Sequence, residues 1–161
     1  IVVSGINRGA NVGNVSHLSG TVGAAMEGLY HGLPAIAVSE DPNSENTAIT
    51  AKFTADLVDR YRRLGAPSGT MISINVPAGE LKGIAVRPMG DSYLGTLRYA
   101  PTERDSMTTD YESVRIIVES EDPTTDTYAY QQGYISVTPL KFDWTDFEML
   151  DEIESWNLQI D

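Results

Sequence analysis

Apolar residues in this chain fall into short runs separated by loops rich in Gly, Asn, Asp and Pro. Residues 1–3 read as the end of a buried strand, and residues 4–18 as a loop. From Ser19 the period changes: Val22, Ala25, Met26 and Leu29 fall at i, i+3, i+4 and i+7, one face of a helix running to about His31. Ser19 suits the N-cap, Gly32 the position just past the end, and Pro34 blocks continuation. Residues 35–38 then form a short apolar run, so the order strand, helix, strand predicts a parallel βαβ unit with a right-handed crossover. A polar loop, 41–46, precedes a second helix over 47–64. Its expected stripe is Ile49, Phe53 and Leu57, broadened by Ala48, Ala51, Ala55 and Val58. Arg60, Arg62 and Arg63 lie in its last turns, where cations suit the helix dipole. Residues 71–76 read as another strand, closed by Pro77.

From Gly83 the pattern turns β-like. Short runs occur at 84–87 and 113–119. Residues 90–111, rich in Tyr, Thr, Gly and Asp, show no helical period and read as a hairpin arm or a flap. Residues 121–127 are a polar loop. Residues 134–140 alternate as a strand should. Thr145 and Glu148 have the spacing of a capping box for a last helix, whose stripe is Met149, Leu150, Ile153 and Trp156. The fold class expected is α/β, a mostly parallel sheet flanked by helices with a β-rich carboxy-terminal extension and a terminal helix. The division falls near residue 82, with the core at 1–82 and the extension with its tail at 83–161.

Composition narrows the function. The chain has 161 residues and a net charge of −12, from 23 acidic and 11 basic residues. Such a surface repels nucleic-acid backbones and argues against duplex DNA or RNA as a partner. A small nucleotide can still bind through local dipoles and a metal, whose fields act at short range. There is no cysteine, so disulfide and thiolate chemistry are excluded. No apolar run reaches membrane-spanning length and no secretory signal is visible, which fits a cytoplasmic protein with no membrane partner.

The candidate chemistry lies at the first strand–helix junction, Ser4-Gly5-Ile6-Asn7-Arg8-Gly9-Ala10-Asn11-Val12-Gly13, followed by Ser19-Gly20-Thr21-Val22-Gly23. A strand feeding a small-residue loop and then a helix N-terminus can hold an anion, because the first N–H groups lack intrahelical partners and the dipole is positive there. Asn7 and Asn11 offer neutral amide oxygens, which join carboxylates on hard cations such as magnesium. The stretch has neither the Lys of a Walker loop nor a GxGxxG fingerprint. On spacing alone, a Gly-rich turn and an anion site both remain open.

The same segment, with Ala24-Ala25-Met26-Glu27-Gly28, Leu33-Pro34-Ala35-Ile36-Ala37-Val38-Ser39 and Gly133-Tyr134-Ile135-Ser136-Val137-Thr138-Pro139-Leu140 in the same order, closely resembles the survival protein E (SurE) family of metal-dependent nucleotidases and phosphatases. The resemblance implies a Rossmann-like core and hydrolysis of nucleoside 5′- and 3′-monophosphates, assisted by magnesium or manganese. It implies a metal ligand at Asn7 and phosphate contacts at Ser19, Gly20 and Thr21, with Asn11 in the phosphate site. It also implies a homo-oligomer, dimer or tetramer, whose subunits exchange carboxy-terminal elements. The family's Asp-Asp pair and a later Ser ligand precede this segment, and no Asp-Asp occurs in the chain. The sequence is therefore expected to be a fragment lacking the amino-terminal part of its core, impaired or inactive alone. The rival reading is a non-catalytic anion-binding or oligomerisation fragment.

Other residues weigh less. His17 could protonate a leaving group, although a surface loop position is the simpler expectation. Leu18 stands where the family often has Tyr. Arg8 could balance phosphate or pair with an acid. His31 and Glu27 are expected to be structural. Asp105, Asp110, Tyr99 and Tyr111 could line a flap. Asp122, Asp126 and Asp143 read as loop and cap acids, and Trp144 and Trp156 as core or interface.

Overall fold

The computed structural model describes residues 1–91, 93–95, 98–114 and 116–160. A five-stranded mixed sheet carries helices on both faces. In chain order the first elements are β1 (Val2–Arg8), a 3₁₀ turn (Gly13–Leu18), α1 (Gly20–Tyr30), β2 (Ala35–Glu40), α2 (Thr47–Leu64) and β3 (Met71–Val76). There follow β4 (Ile84–Val86), β5 (Arg98–Asp105), β6 (Thr108–Val114), α3 (Asp126–Gln131), β7 (Ile135–Leu140) and α4 (Glu148–Ser155). The sheet order is β1-β2-β3-β7-β4, and β5 and β6 make a separate two-stranded hairpin. β1, β2 and β3 are parallel, whereas β7 runs antiparallel to β3 and parallel to β4.

Strand alternation sorts the core. Ile36, Val38, Ile74, Val76 and Ile135 face α2 and pack on Tyr61, Phe53, Leu57 and Val58. Ala35, Ala37 and Met71 face the other way, onto Val22 and Ala25 of α1. Small residues permit that close approach; a side chain on Gly28 would collide with Val2. The two crossovers step the same way across the sheet yet lie on opposite faces, so they have opposite hands. One of them therefore departs from the right-handed rule that predicts these units.

Several expectations need correction. β1 extends to Arg8, where a strand ending at residue 3 was expected. The α2 boundaries are as expected, but its buried positions are Thr50, Thr54 and Tyr61, and Ile49 is half exposed. The two threonines bury by donating their hydroxyls to the Asn46 and Thr50 carbonyls one turn back. The hairpin arm expected within 90–111 is present, with β5, its turn and the start of β6 inside that range. The run expected at 113–119 is not one strand, because β6 ends at Val114 and Ile117 makes a single bridge to Leu94; its Arg115 lies outside the described residues. α3 occupies part of the expected 121–127 loop, capped by the Thr125 hydroxyl, which accepts from Tyr128 N–H at 3.4 Å. The Thr145–Glu148 capping box does not form. Asp146 Oδ1 instead accepts from the Glu148 and Met149 N–H groups at 3.1 and 3.2 Å. No described helix is long and apolar enough to cross a membrane.

Candidate functional site

The site is built on an irregularity in β1. Ser4 lies across from Ala37, but Asn7 lies across from Ser39, so three steps on β1 match two on β2. The extra residue resets the alternation and brings Asn7 onto the α1 face. Gly5 makes this possible: its φ of +128 falls where side chains are disfavoured, and an added Cβ would collide with the Val38 carbonyl.

The register then aligns Asn7 with Ser39, Ser39 with Asn75, and Asn75 with Ser136. This polar row crosses four strands on the face that carries α1. Ser39, Asn75 and Ser136 are all fully buried. Such burial is tolerable when the groups bond one another, and the loop over 9–13 supplies the partners. Asn11 N–H donates to Asn75 Oδ1 at 2.7 Å, and Asn75 Nδ2 donates back to the Asn11 carbonyl at 3.3 Å. Asn11 Nδ2 donates to Ser39 Oγ, and Ser16 Oγ donates to the Asn11 carbonyl, both at 2.7 Å. Ser136 Oγ has no partner among the described residues.

The far end of the loop is held by Asp126, which is 1% exposed. Its carboxylate accepts from Gly13 N–H at 3.2 and 3.1 Å, from Gly90 N–H at 2.8 Å, and from the Thr127 and Thr138 hydroxyls. Gly13 has a φ of +57, and an added Cβ would collide with the Asp91 carbonyl. Val12 packs with Tyr93 and Tyr130, whose rings meet edge to face at 5.8 Å. The Tyr130 hydroxyl donates to Asp41 Oδ2 at 2.9 Å. Burial first, then Tyr93 and Asp41, raise its pKa and keep it protonated.

Beyond the 3₁₀ turn the chain enters α1. Ser19 is the N-cap, its hydroxyl accepting from Val22 N–H at 3.2 Å, and the first intrahelical bond runs from Gly23 N–H to the Ser19 carbonyl. The N–H groups of Gly20 and Thr21 precede that bond, as anion-binding amides do. A side chain on Gly20 would meet nothing within 4 Å, so the space before the helix is open. Because α1 follows β1 in a parallel unit, this N-terminus lies at the carboxyl edge of the strands. Asn7 lies at the same edge, where open α/β sheets hold ligands.

The expected residues thus divide. Asn7 is half-buried at the end of the row, its Nδ2 donating to the Gly9 carbonyl at 2.8 Å. Ser19, Gly20 and Thr21 form the helix entrance. Asn11 points into the protein, its amide nitrogen held on Ser39. Arg8 donates to the Pro42 carbonyl at 3.0 Å. Glu27 and His31 pair with each other at 3.1 Å on the surface. Asp110 pairs with Arg104 at 2.8 Å within the hairpin, and Asp105 caps its turn at Met107. Asp122 holds its own turn at Thr124, whose hydroxyl and N–H lower its pKa. Among the described residues no three His, Asp or Glu side chains come together to hold a metal. The donor type at Asn7 suits a hard cation, but one amide oxygen covers a small part of its shell.

The sequence reading missed the row and the Asp126 hub. The signal for the row was a polar residue inside each apolar run: Ser39 in Ala35–Glu40, Ser73 and Asn75 in Met71–Val76, and Ser136 and Thr138 in Ile135–Leu140.

Comparison with known proteins places the chain in a family. Residues 1–96 match the family model "Survival protein SurE". The chain is 35% identical over 168 residues to "5'-nucleotidase SurE" of Thermoanaerobacter sp. (strain X514), spanning 100% of this chain and 65% of that protein. It is 39% identical over 164 residues to the protein of the same name from Stutzerimonas stutzeri (strain A1501), spanning 97% of this chain and 64% of that protein. Among solved structures, the SurE protein from Aquifex aeolicus superposes with a TM-score of 0.75 at 32% identity, over 98% of this chain and 65% of that one. The chain spans about two thirds of the length of the curated relatives it matches, at 65% of the first.

Proposed function

The chain belongs to the survival protein SurE family, and on that premise we propose that the protein carrying it is a phosphomonoesterase acting on nucleoside 5′- and 3′-monophosphates. Water displaces the nucleoside oxygen at phosphorus. The phosphorus–oxygen ester bond breaks, and inorganic phosphate and the nucleoside, now bearing a proton on that oxygen, are released. The observation that carries the reading is the open N-terminus of α1 at the same sheet edge as Asn7. In it the Gly20 and Thr21 N–H groups, with the Thr21 hydroxyl, bind phosphate oxygens, and Ser19 fixes the turn that presents them. Asn11 supports the site from below by holding the loop on Ser39 and Asn75. A divalent cation, magnesium or manganese, belongs to the same proposal; when bound, it polarises the phosphoryl group and activates water. Asn7 is its ligand from this chain. The protein acts in the cytoplasm and as a homo-oligomer through its carboxy-terminal tail.

Phosphate release from AMP with manganese tests the reading. The 161-residue chain is expected to be slower than the full-length Thermoanaerobacter relative by about 10–100-fold, because Asn7 alone holds a cation weakly. Chelation is expected to abolish what remains. Release that survives chelation rules out the cation, and a chain that neither binds nor hydrolyses AMP rules out the function.

Asn7→Ala is expected to weaken manganese binding in calorimetric titration by about tenfold or more. The thermal midpoint should hold, because the lost amide makes one hydrogen bond, to Gly9. Unchanged affinity would take Asn7 out of the metal shell.

A further inference from the structure

We propose that the cleft beside the start of α1 receives the nucleobase of the substrate, with Trp144 as its stacking platform. This rests on the nucleotide reading above and states where the base goes. The cleft has a volume of about 550 Å³, within the range of small-molecule sites. Its walls include residues on both sides of the phosphate turn: Ser16 and His17 shortly before Ser19–Thr21, Val22 and Gly23 immediately after. The opposite wall is the end of β7 and the segment leaving it, which brings Trp144 across to His17. Their ring centroids are 5.2 Å apart, tilted by 59°. That tilt leaves the indole without a parallel partner, although it is held in place and 72% exposed. A planar, amphipathic ring is the ligand such a surface fits, since aromatic faces stack on any base.

Charge points the same way. The chain carries −12 overall, yet this cleft has Arg87 and Lys141 against one carboxylate, Asp143, with Lys141 and Asp143 3.2 Å apart. An apolar floor with a cationic rim suits an anion bearing a flat ring, which is a nucleoside monophosphate. A second hollow, of about 460 Å³, shares His17, Met89, Asp143 and Trp144, so the cleft continues past the indole and leaves room for a purine.

The test uses the whole chain carrying Trp156→Phe, so that Trp144 is the remaining indole. Adenosine, which needs neither metal nor phosphate contacts, is expected to quench its fluorescence saturably. Trp144→Leu is expected to weaken AMP binding in equilibrium dialysis about tenfold, with ribose 5-phosphate binding unchanged. Trp144→Phe should recover most of the loss. Absence of quenching by adenosine, or equal weakening of AMP and ribose 5-phosphate, overturns the proposal. So does an emission change that follows protein concentration instead of adenosine, since the cleft then holds a second copy. Failure of the nucleotide reading looks different: AMP and ribose 5-phosphate both fail to bind, and the base site falls with it. A misplaced base site leaves AMP binding intact and indifferent to Trp144.

Discussion

Asp126→Ala is expected to lower the stability of the chain by about 3–5 kcal/mol, because several buried donors lose their acceptor at about 1–3 kcal/mol each. The carboxylate has almost no contact with water, and apart from its neighbour Thr127 the donors it accepts from lie 12 to 113 residues away. Gly13 belongs to the loop that follows β1, Gly90 to the chain beyond β4, Thr127 to α3 and Thr138 to β7. Removing the side chain leaves two buried N–H groups and two hydroxyls facing a hole. Asp126→Asn should be milder yet still costly, since its amide nitrogen presents hydrogens to N–H groups that need acceptors. Urea unfolding followed by circular dichroism measures both. A loss below about 1 kcal/mol for the alanine variant, a value ordinary for a surface position, would mean the loop is held by Asn11 and Val12 without Asp126.

The sequence revealed the local parts of this fold and little of its assembly. Helix α2 was legible to the residue because its start follows a polar loop and its end meets Gly65, whose φ is +82. The entrance to α1 was legible for the same reason: Ser19 caps and Gly32 stops. The face was legible in part: Phe53, Leu57 and Val58 pack on the core, whereas Ile49 is half exposed. Thr50 and Thr54 are polar by type but bury their hydroxyls on the helix's own carbonyls, so the stripe missed them. The site was half legible. A Gly-rich loop before a helix marked the place by local pattern, with a plain turn and an anion site both open. The row Asn7, Ser39, Asn75, Ser136 depends on register between strands far apart in the chain, and on an extra residue in β1 that shifts Asn7 to the other face. Asp126 looked like a cap acid. It does stand in the first turn of α3, but its partners arrive from up to 113 residues away, and no window along the sequence contains them.

Deletion of residues 147–161 is expected to convert an oligomer of the protein into monomer or aggregate. Helix α4 has no buried residue, and Leu150, Ile153 and Trp156 all lie on its surface, with Phe147 just before it. A helix this short does not hold its shape in water without packing. Covering three such side chains contributes about 4–9 kcal/mol before the entropy of ordering is charged, enough to hold the helix against a partner surface. A second copy offers the same stripe, and mutual packing of the two tails closes into a symmetric dimer with no open end. Stopping at residue 146 keeps Trp144 in place, which separates loss of the tail from loss of the proposed base platform. Light scattering on the purified truncation reads the outcome directly. A mass per particle unchanged from the untruncated protein would show that α4 packs within its own subunit and that any interface lies elsewhere.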